Sequence, residues 1–265
     1  MNRRLFLRSA VAAGVSATAV PSLAAQFAAL TQISGSVEAV TGDRAAVEIE
    51  KSVLQELAAS LRGNLLLPGN PGHNAARKVL NPAIDKHPAM VIQPIGVTDI
   101  RKAVEFAKER NLLLAVKCGG HSYAGKSTCD GGMQIDLSTF RHARVDVANR
   151  IAHVAGGSLL GELDREAMAV GLVTTAGTVS HTGVGGLTTA GGFGRLGRRF
   201  GLALDNVVGA DVVTADGRLL HVSADENADL FWGIRGGGGN FGIVTNFEFQ
   251  LHPMQRTVVA GTVAY

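Results

Sequence analysis

Two glycines followed by a histidine, Gly119-Gly120-His121, form the short motif of this chain with the clearest chemical use. The motif directly follows an apolar run at residues 112–116, so it lies where a strand is expected to end. Successive glycines let backbone N–H groups turn inward and form a nest for an anion such as a pyrophosphate. By themselves, the same residues fit equally well an ordinary turn between strands with a polar histidine at its tip.

Glycine is abundant, with 34 of 265 residues, and seventeen of the glycines fall between Gly177 and Gly242 without a collagen-like period. This clustering predicts tight backbone loops wrapped around a ligand. Residues 192–197 read G-x-G-x-x-G, but residues 183–191 before them are glycine-rich and do not form an apolar strand. The context therefore argues against a nicotinamide site of the Rossmann type.

Other chemistries find little support. Residues 156–161 nearly spell a nucleophile elbow, but the closing glycine comes one residue late, and Ser158 is better interpreted as a helix N-cap. Eight histidines show no paired spacing, so no metal site is predicted. Cys118 and Cys129 match neither a zinc ribbon nor a redox pair. The sequence leaves open whether they form a disulfide, and the favoured interpretation of Cys118 is a loop residue.

The charge distribution excludes a nucleic-acid partner. The net charge is +3, but three arginines lie in the first eight residues, and the rest of the chain has 22 basic and 22 acidic residues. Basic patches interleaved with aromatic residues are absent from the sequence. Apart from the N-terminal stretch, no run reaches the ~18 apolar residues that a membrane helix needs.

The first 24 residues have the layout of an export signal. Arg3-Arg4 precede a small apolar run at residues 10–20 and a cleavage-type sequence, Ser22-Leu23-Ala24. The arginine pair followed by Leu5 favours a twin-arginine signal, although a general secretory signal is the alternative. We expect a periplasmic or secreted protein, with residues 1–24 removed and residues 25–42 as a linker.

The elements before the motif indicate a small parallel α/β unit. Apolar spacing predicts a helix over residues 43–62 and a strand at 90–92. A second helix is expected from Thr98, its cap, to Asn111, followed by a strand at 112–116 buried on both faces. Strand, helix and strand in this order form a βαβ unit.

Later residues indicate an antiparallel unit. Half-buried strands are predicted around residues 133–137 and 145–147, then a helix that ends at Gly171. Asp216-Gly217 predicts a hairpin, and residues 245–251 alternate as one half-buried strand. The predicted fold class is α+β: a small parallel α/β subdomain to about residue 117, then an antiparallel sheet subdomain with flanking helices to residue 254.

Several of these motifs, in this order, resemble the FAD-linked oxidoreductases whose FAD-binding domain is of the vanillyl-alcohol oxidase and p-cresol methylhydroxylase (PCMH) type. Bacterial berberine bridge enzyme-like oxidases are the most similar branch. The resemblance rests on residues 89–94, 117–125, 176–194, 201–207 and 229–242. It implies an FAD-binding domain over residues 43–254.

The resemblance also implies a set of cofactor-binding residues. His121 would bond the methyl carbon on the dimethylbenzene ring of the flavin, because one nitrogen of a neutral imidazole is a good nucleophile. The remaining residues would form the pyrophosphate loop, line the other side of the flavin, or contact the adenine portion through backbone atoms. In that order they are Lys117, Cys118, Gly119, Gly120 and Ser122; Gly177, Thr178, Val179, Gly183, Val184, Gly185, Gly186, Gly191, Gly192, Phe193 and Gly194; Ile243 and Val244.

Departures from the family pattern limit what is implied. Val179 stands where some relatives carry a second attachment from a cysteine, so a single covalent bond is expected. His181 fits the bacterial branch of the family; the resemblance leaves open a place for it beside the flavin, and a packed structural histidine is the favoured interpretation. Relatives continue into a substrate-binding domain, of which residues 255–265 would be only the start, so the catalytic residues are unknown.

The function implied is oxidation of an alcohol, sugar or amine-bearing carbon by hydride transfer to FAD, with oxygen or another electron acceptor. The alternative is a flavin-binding protein without catalysis, or an inactive truncated fragment.

Overall fold

The computed structural model describes residues 33–255, 257–258 and 261. The first unit contains a hairpin, a four-stranded sheet and three helices: β1 (Val37–Val40), β2 (Ala46–Ile49), α1 (Lys51–Ser60), β3 (Asn64–Leu66), α2 (His73–Arg77), β4 (Met90–Gln93), α3 (Val97–Glu109), β5 (Leu114–Lys117) and β6 (Met133–Asp136). The predicted export signal and residues 25–32 of the linker lie outside the described residues.

The second unit is built on a five-stranded sheet. Its elements are β7 (Ala143–Asp146), β8 (Ile151–Ala155), α4 (Leu160–Ala169), β9 (Leu172–Val173), α5 (Val184–Thr189), α6 (Gly197–Phe200), β10 (Val207–Val213), β11 (Leu219–Ser223), α7 (Ala228–Ile234), β12 (Ile243–Gln250) and β13 (His252–Pro253). Short 3₁₀ turns cover Leu137–Thr139, Leu204–Asn206 and Gly238–Phe241. Among the described residues, no helix is long and apolar enough to span a membrane.

The first sheet has the strand order β3-β4-β6-β5, in which β4, β6 and β5 are parallel and β3 is antiparallel to β4. The predicted βαβ unit is therefore present, but β6 inserts between its two strands. Apolar side chains of β4, α3 and β6 form the core between sheet and helix, and Met90, Ile92, Ile100, Met133 and Ile135 are all fully buried.

The second sheet is antiparallel throughout, in the order β11-β10-β12-β8-β7. The predicted hairpin turns at Gly217, which has φ +82°. Phe247 and Phe249 of β12 are fully buried and belong to the same apolar core as Leu160 and Leu163 of α4. The alternation predicted for β12 is confirmed, since polar residues face outward between these aromatic side chains.

Contacts between the two sheets hold them in one arrangement. The Arg101 side chain of α3 donates from Nε to the Gly217 carbonyl at 2.7 Å, which ties the hairpin to the first unit. Val213 and Ile243 of the second sheet pack into the first core. The line where the sheets meet therefore lies close to the amino end of β12.

The N-terminal part differs from the prediction. Residues 43–62 form a strand, β2, followed by the shorter helix α1, and β1 lies inside the expected linker. Val47 pairs with Ala39 in the β1–β2 hairpin instead of lying on a helix face. Arg44, at φ +69°, makes the turn between the strands. The folded unit therefore begins before residue 43.

The border between the parallel and antiparallel units also differs. β6 was expected to be half-buried and antiparallel, but all four of its residues are buried in the parallel sheet. β5 is at the sheet edge, and Leu114 and Val116 keep partial exposure. The polar residues of β6 lie inside because the Gln134 amide nitrogen donates to the Ala76 carbonyl and the Asp136 carboxylate pairs with Lys117. The alternation of polar residues on this strand therefore does not indicate a face exposed to solvent.

Two predicted helix caps are wrong in detail. α3 begins at Val97 after Gly96, and Thr98 makes no capping bond. The buried Asp99 carboxylate instead accepts N–H bonds from Ile95, Arg62 and Gly63. The predicted end of α3 is confirmed by Asn111, whose φ is +49°.

At α4 the cap is Leu159, and Ser158 is buried. The Ser158 hydroxyl accepts from the His142 N–H at 3.0 Å and donates to the His142 carbonyl at 2.8 Å. Ser158 thereby ties the segment before β7 to the helix.

Candidate functional site

The predicted anion loop lies at the carboxyl end of β5. Gly120 adopts φ +71°, a conformation that favours glycine. Within the part of the chain that the structure describes, the backbone N–H groups of Gly120 and His121 meet no protein acceptor. Unpaired neighbouring N–H groups at a glycine turn are suited to an anion.

Lys117 belongs to the underside of this loop. Its side chain is 8% exposed. The Nζ atom donates to the Ala76 carbonyl and lies 3.4 Å from Asp136 Oδ1 and 3.5 Å from the Lys78 carbonyl oxygen. These three acceptors hold the ammonium group in the protein interior. Lys117 therefore belongs to the predicted loop, and its side chain holds that loop from the interior.

Residues 76–87, here called the strap, run along the loop and are tied to it. The Leu80 N–H donates to the Gly120 carbonyl at 2.8 Å, and the Asn81 side chain donates to the Tyr123 carbonyl at 2.8 Å. Lys86 Nζ donates to the Gly125 carbonyl at 2.9 Å. The sequence gives no spacing signal for this role, because the contacts join residues about forty positions apart.

Opposite the loop lies a second glycine-containing segment, residues 181–186, here called the second segment. A Cβ atom on Gly119 would lie 2.3 Å from the Gly183 nitrogen, and one on Gly183 would lie 2.3 Å from the Gly119 nitrogen. The two backbones are therefore in direct contact, and neither position has room for a side chain. Gly185 is equally restricted, since its Cβ would lie 2.6 Å from the Gly156 carbonyl oxygen. The structure therefore brings the anion loop and the second segment together.

Cys118 lies between these segments and is partly buried. Burial raises the pKa of Cys118, and its Sγ lies 3.7 Å from the Ser158 carbonyl oxygen. Cys129 is also buried, which raises its pKa to about 11. Both cysteines are free, so they form no disulfide. The thiol of Cys118 fills space behind the loop.

Residues 177–179 and 191–194 lie beside the second segment, and together these residues form what is here called the glycine wall. Gly192 has φ +80°, and its Cβ would lie 2.3 Å from Ala203 Cβ, while a Cβ on Gly194 would lie 1.8 Å from the Ala176 carbonyl oxygen. Phe193 is 80% exposed, and Thr178 and Val179 are also exposed. The glycines thus pack inward and the side chains between them face outward.

Three threonines were missed by the sequence reasoning. The hydroxyls of Thr174, Thr175 and Thr188 are buried without a hydrogen-bond partner among the described residues. Thr175 Cγ2 would lie 3.4 Å from a Cβ on Gly194, which places it beside the glycine wall. Unpaired buried hydroxyls are uncommon and call for a partner such as a ligand or water. Their sequence signal is the pair of Thr-Thr dipeptides at residues 174–175 and 188–189.

Ile243 and Val244 can offer only backbone atoms to a ligand, because their side chains belong to the apolar cores. Both side chains are buried, Ile243 in the first core and Val244 in the second. The Val244 carbonyl oxygen would lie 1.9 Å from a Cβ on Gly156, so it packs against the residue that also contacts Gly185. This placement suits the backbone role predicted for them.

His121 is in close contact with residues of the second segment. Its Nε2 lies 2.7 Å from His181 Nδ1, and its Nδ1 lies 3.3 Å from Thr182 Oγ1. Burial, and secondarily the charge of His181, lower the pKa of His121, which favours the neutral form of the imidazole. His181 is exposed and is not the packed structural histidine expected. Among the described residues no cluster of side chains could hold a metal ion.

Comparison with known proteins identifies the domain. The sequence family described as an FAD binding domain matches residues 88–223, just over half of the chain. The chain belongs to this family. The FAD-binding domain expected from the motifs is thereby confirmed, and FAD is its cofactor.

Similar proteins include enzymes and solved structures. (R)-6-hydroxynicotine oxidase of Paenarthrobacter nicotinovorans is 35% identical over 206 residues, which cover 78% of this chain and 45% of the relative. The structure of a 6-hydroxy-D-nicotine oxidase from Arthrobacter nicotinovorans has a TM-score of 0.72 and 36% identity, covering 73% of this chain and 43% of its own.

A second solved structure is glucooligosaccharide oxidase from Acremonium strictum, which carries a 6-S-cysteinyl, 8α-N1-histidyl FAD. It has a TM-score of 0.71 and 36% identity, and covers 74% of this chain and 42% of its own. The α+β fold of PCMH type is confirmed by these neighbours. This chain spans less than half the length of the relatives it matches.

The residues present fit FAD. Unpaired N–H groups at Gly120 and His121 suit the pyrophosphate, and the backbone contact between Gly119 and Gly183 leaves a wall without side chains beside it. At Gly186 a Cβ would meet nothing within 4 Å, so the wall opens to solvent there. A neutral imidazole, His121, lies at the end of the loop.

Proposed function

We propose that this chain is the FAD-binding module of an oxidoreductase and that it attaches FAD covalently through His121. The observation that carries the proposal is the position of His121: its ring contacts Thr182 and His181 of the second segment, and its backbone belongs to the anion loop. Bound FAD supplies hydride acceptance. The chain's own residues bind the dinucleotide, exclude water behind it and hold the imidazole.

The experiment is acid precipitation of the purified protein. We expect a yellow protein whose flavin stays in the pellet, and a His121→Ala variant whose flavin passes into the supernatant. His87→Ala is the matched control, because His87 is an exposed histidine outside the loop whose side chain makes only a 4.0 Å contact with Asp85. Release of flavin from the wild-type protein contradicts covalent attachment.

The proposed reaction class is oxidation of an alcohol, a sugar or an amine-bearing carbon, with dioxygen or another electron acceptor. Its support is the similarity to a nicotine oxidase and to a glucooligosaccharide oxidase. Both names describe oxidases of small molecules. Fold similarity alone does not choose between these substrates.

A flavin-binding module without turnover is the second candidate. It is favoured by the open outer wall, where Phe193 is 80% exposed and Gly186 faces free space. An open face cannot orient a substrate for hydride transfer. Anaerobic mixing with alcohols, aldoses and amines distinguishes the two: rapid bleaching of the flavin band shows a complete active site, and an unchanged band supports the binding module.

We further propose export by the twin-arginine route to the periplasm or beyond, supported by Arg3-Arg4 and by the advantage of exporting a domain that already holds its cofactor. Changing both arginines to lysine keeps the charge and should abolish export. Unchanged accumulation outside the cytoplasm, in a strain with an intact general secretory route, contradicts the proposal.

A further inference from the structure

The ring of His181 is in direct contact with the ring of His121, which the sequence did not predict. The ring centroids are 4.7 Å apart, and His121 Nε2 lies 2.7 Å from His181 Nδ1. This distance is that of a hydrogen bond, so one of the two nitrogens carries a proton and the other accepts it. The contact joins residues sixty positions apart and brings an exposed imidazole to the proposed attachment residue.

The contact makes the two nitrogens of His121 unequal. Nε2 is covered by His181, so it has no free direction in which to form another bond. Nδ1 has only the longer contact of 3.3 Å with the Thr182 hydroxyl. Nδ1 is therefore the open nitrogen, and it is nucleophilic only when the proton of the neutral ring is on Nε2.

We propose that His181 is a positioning residue for cofactor attachment: it accepts the Nε2–H of His121, keeps Nδ1 unprotonated, and takes the Nε2 proton as Nδ1 is alkylated. The inference rests on the proposed attachment through His121. It assigns to His181 a role different from packing.

The atom balance shows why a proton acceptor is needed. Attachment forms a bond between Nδ1 and the methyl carbon, and breaks one C–H bond of that methyl. The electron pair of the C–H bond passes to the ring system and then to dioxygen, the co-reactant, which leaves as hydrogen peroxide with two protons. One of these protons comes from the methyl and the other from Nε2. Without removal of the Nε2 proton the alkylated imidazole would stay cationic.

The position of His181 suits this transfer. Its side chain is exposed, so Nε2 of His181 can exchange its proton with water. The segment that carries it is fixed at both ends: the Thr182 carbonyl accepts from the Leu160 N–H at 2.9 Å, and the Ser180 carbonyl accepts from the Gly161 N–H at 2.8 Å. The acceptor is therefore held in place while its outer face stays open to solvent.

The test follows attachment itself and not substrate oxidation. Apoprotein from a riboflavin-deprived host is mixed with FAD in air, samples are denatured over time, and in-gel flavin fluorescence and hydrogen peroxide are measured. For His181→Ala we expect tight non-covalent FAD binding but attachment slowed about a hundredfold, the typical contribution of a proton acceptor. Added imidazole should restore part of the rate.

His181→Asn separates the two parts of the role. Its Oδ1 can accept the Nε2–H but cannot take the proton, so nitrogen-15 NMR should show His121 protonated on Nε2 while attachment remains slow. His181→Leu should lose both. A variant that only damaged packing would not change the tautomer of His121, and added imidazole would not restore its rate of flavin attachment.

The outcomes separate this inference from the proposal on which it rests. Covalent flavin in His121→Ala overturns attachment through His121. Loss of covalent flavin in His121→Ala, together with a wild-type rate in His181→Ala, leaves that attachment intact and overturns the role of His181. If His181→Ala does not fold, His181→Asn decides: attachment at the wild-type rate overturns the transfer of the proton.

Discussion

The two faces of the anion loop are built on opposite principles. On the underside, Lys117 and Asp136 are charged, buried and surrounded by acceptors and donors, including Gln93 and Ser138. On the outer face, three and four residues after Lys117, Gly120 and His121 leave N–H groups without partners among the described residues. The protein thus satisfies the charges that hold the loop and leaves unpaired the N–H groups that would meet the ligand.

The difference has an energetic reason. A buried charge without a partner costs several kcal/mol, so the underside is stable only when both charges are present. An N–H group at the surface can be satisfied by water until a ligand replaces it. The buried ion pair therefore makes the underside of the loop rigid, while the N–H groups of the outer face stay available to a ligand. A substitution can change one face without the other.

Breaking the underside should have the largest effect. Lys117→Met leaves the Asp136 carboxylate buried without its cation, so the free energy of unfolding should fall by about 3–5 kcal/mol. Urea denaturation measures it, with the exposed Lys126→Met as the matched control. Changing Asp136 to Asn in the Lys117→Met background should recover part of the loss. Equal effects of the two single lysine variants would contradict the buried pair.

Separating the two glycine segments should have an intermediate effect. An alanine at Gly119 would collide with the Gly183 backbone, and overpacking of this kind costs about 1–3 kcal/mol. We expect lower stability and less bound flavin, measured by urea denaturation and the visible spectrum.

Gly186→Ala is the matched control for the stability part of that prediction. It lies in α5, and its Cβ would meet nothing within 4 Å. Replacing a helical glycine by alanine should raise the free energy of unfolding by about 0.5–1 kcal/mol. Similar losses of stability at the two positions would show that the backbones are not in contact.

The smallest effect concerns the protonation of His121 on the outer face. Its pKa is below the ordinary 6.5, chiefly through burial and then through the charge of His181. The unfolded state therefore binds more protons than the folded state between the folded pKa and 6.5, and stability falls as the pH drops through that interval. Above pH 6.5 this contribution is constant.

NMR titration of the His121 ring protons checks this directly. In His181→Ala the pKa should rise towards 6.5 but stay below it, because the larger cause, burial, remains. A His121 pKa above 6.5 in the wild-type protein would contradict the assigned environment.

Local patterns predicted many features correctly. The Asp216-Gly217 hairpin, the left-handed Asn111 and the alternation of β12 each depend on neighbouring residues, so the sequence carries the information within a short window. The glycine clusters likewise predicted backbone contact around a ligand, since glycine is needed where no Cβ fits. The family resemblance followed from the order of these motifs.

Only the tertiary structure decided which partners lie across long separations. The place of β6 between β4 and β5 was hidden because its polar residues looked exposed, whereas they pair inside with Lys117 and with the Ala76 carbonyl. The direction of the Lys117 side chain and the contact between His121 and His181 depend on residues forty to sixty positions away. Residue type and spacing determined the kind of chemistry at this site, and packing determined which atom performs it.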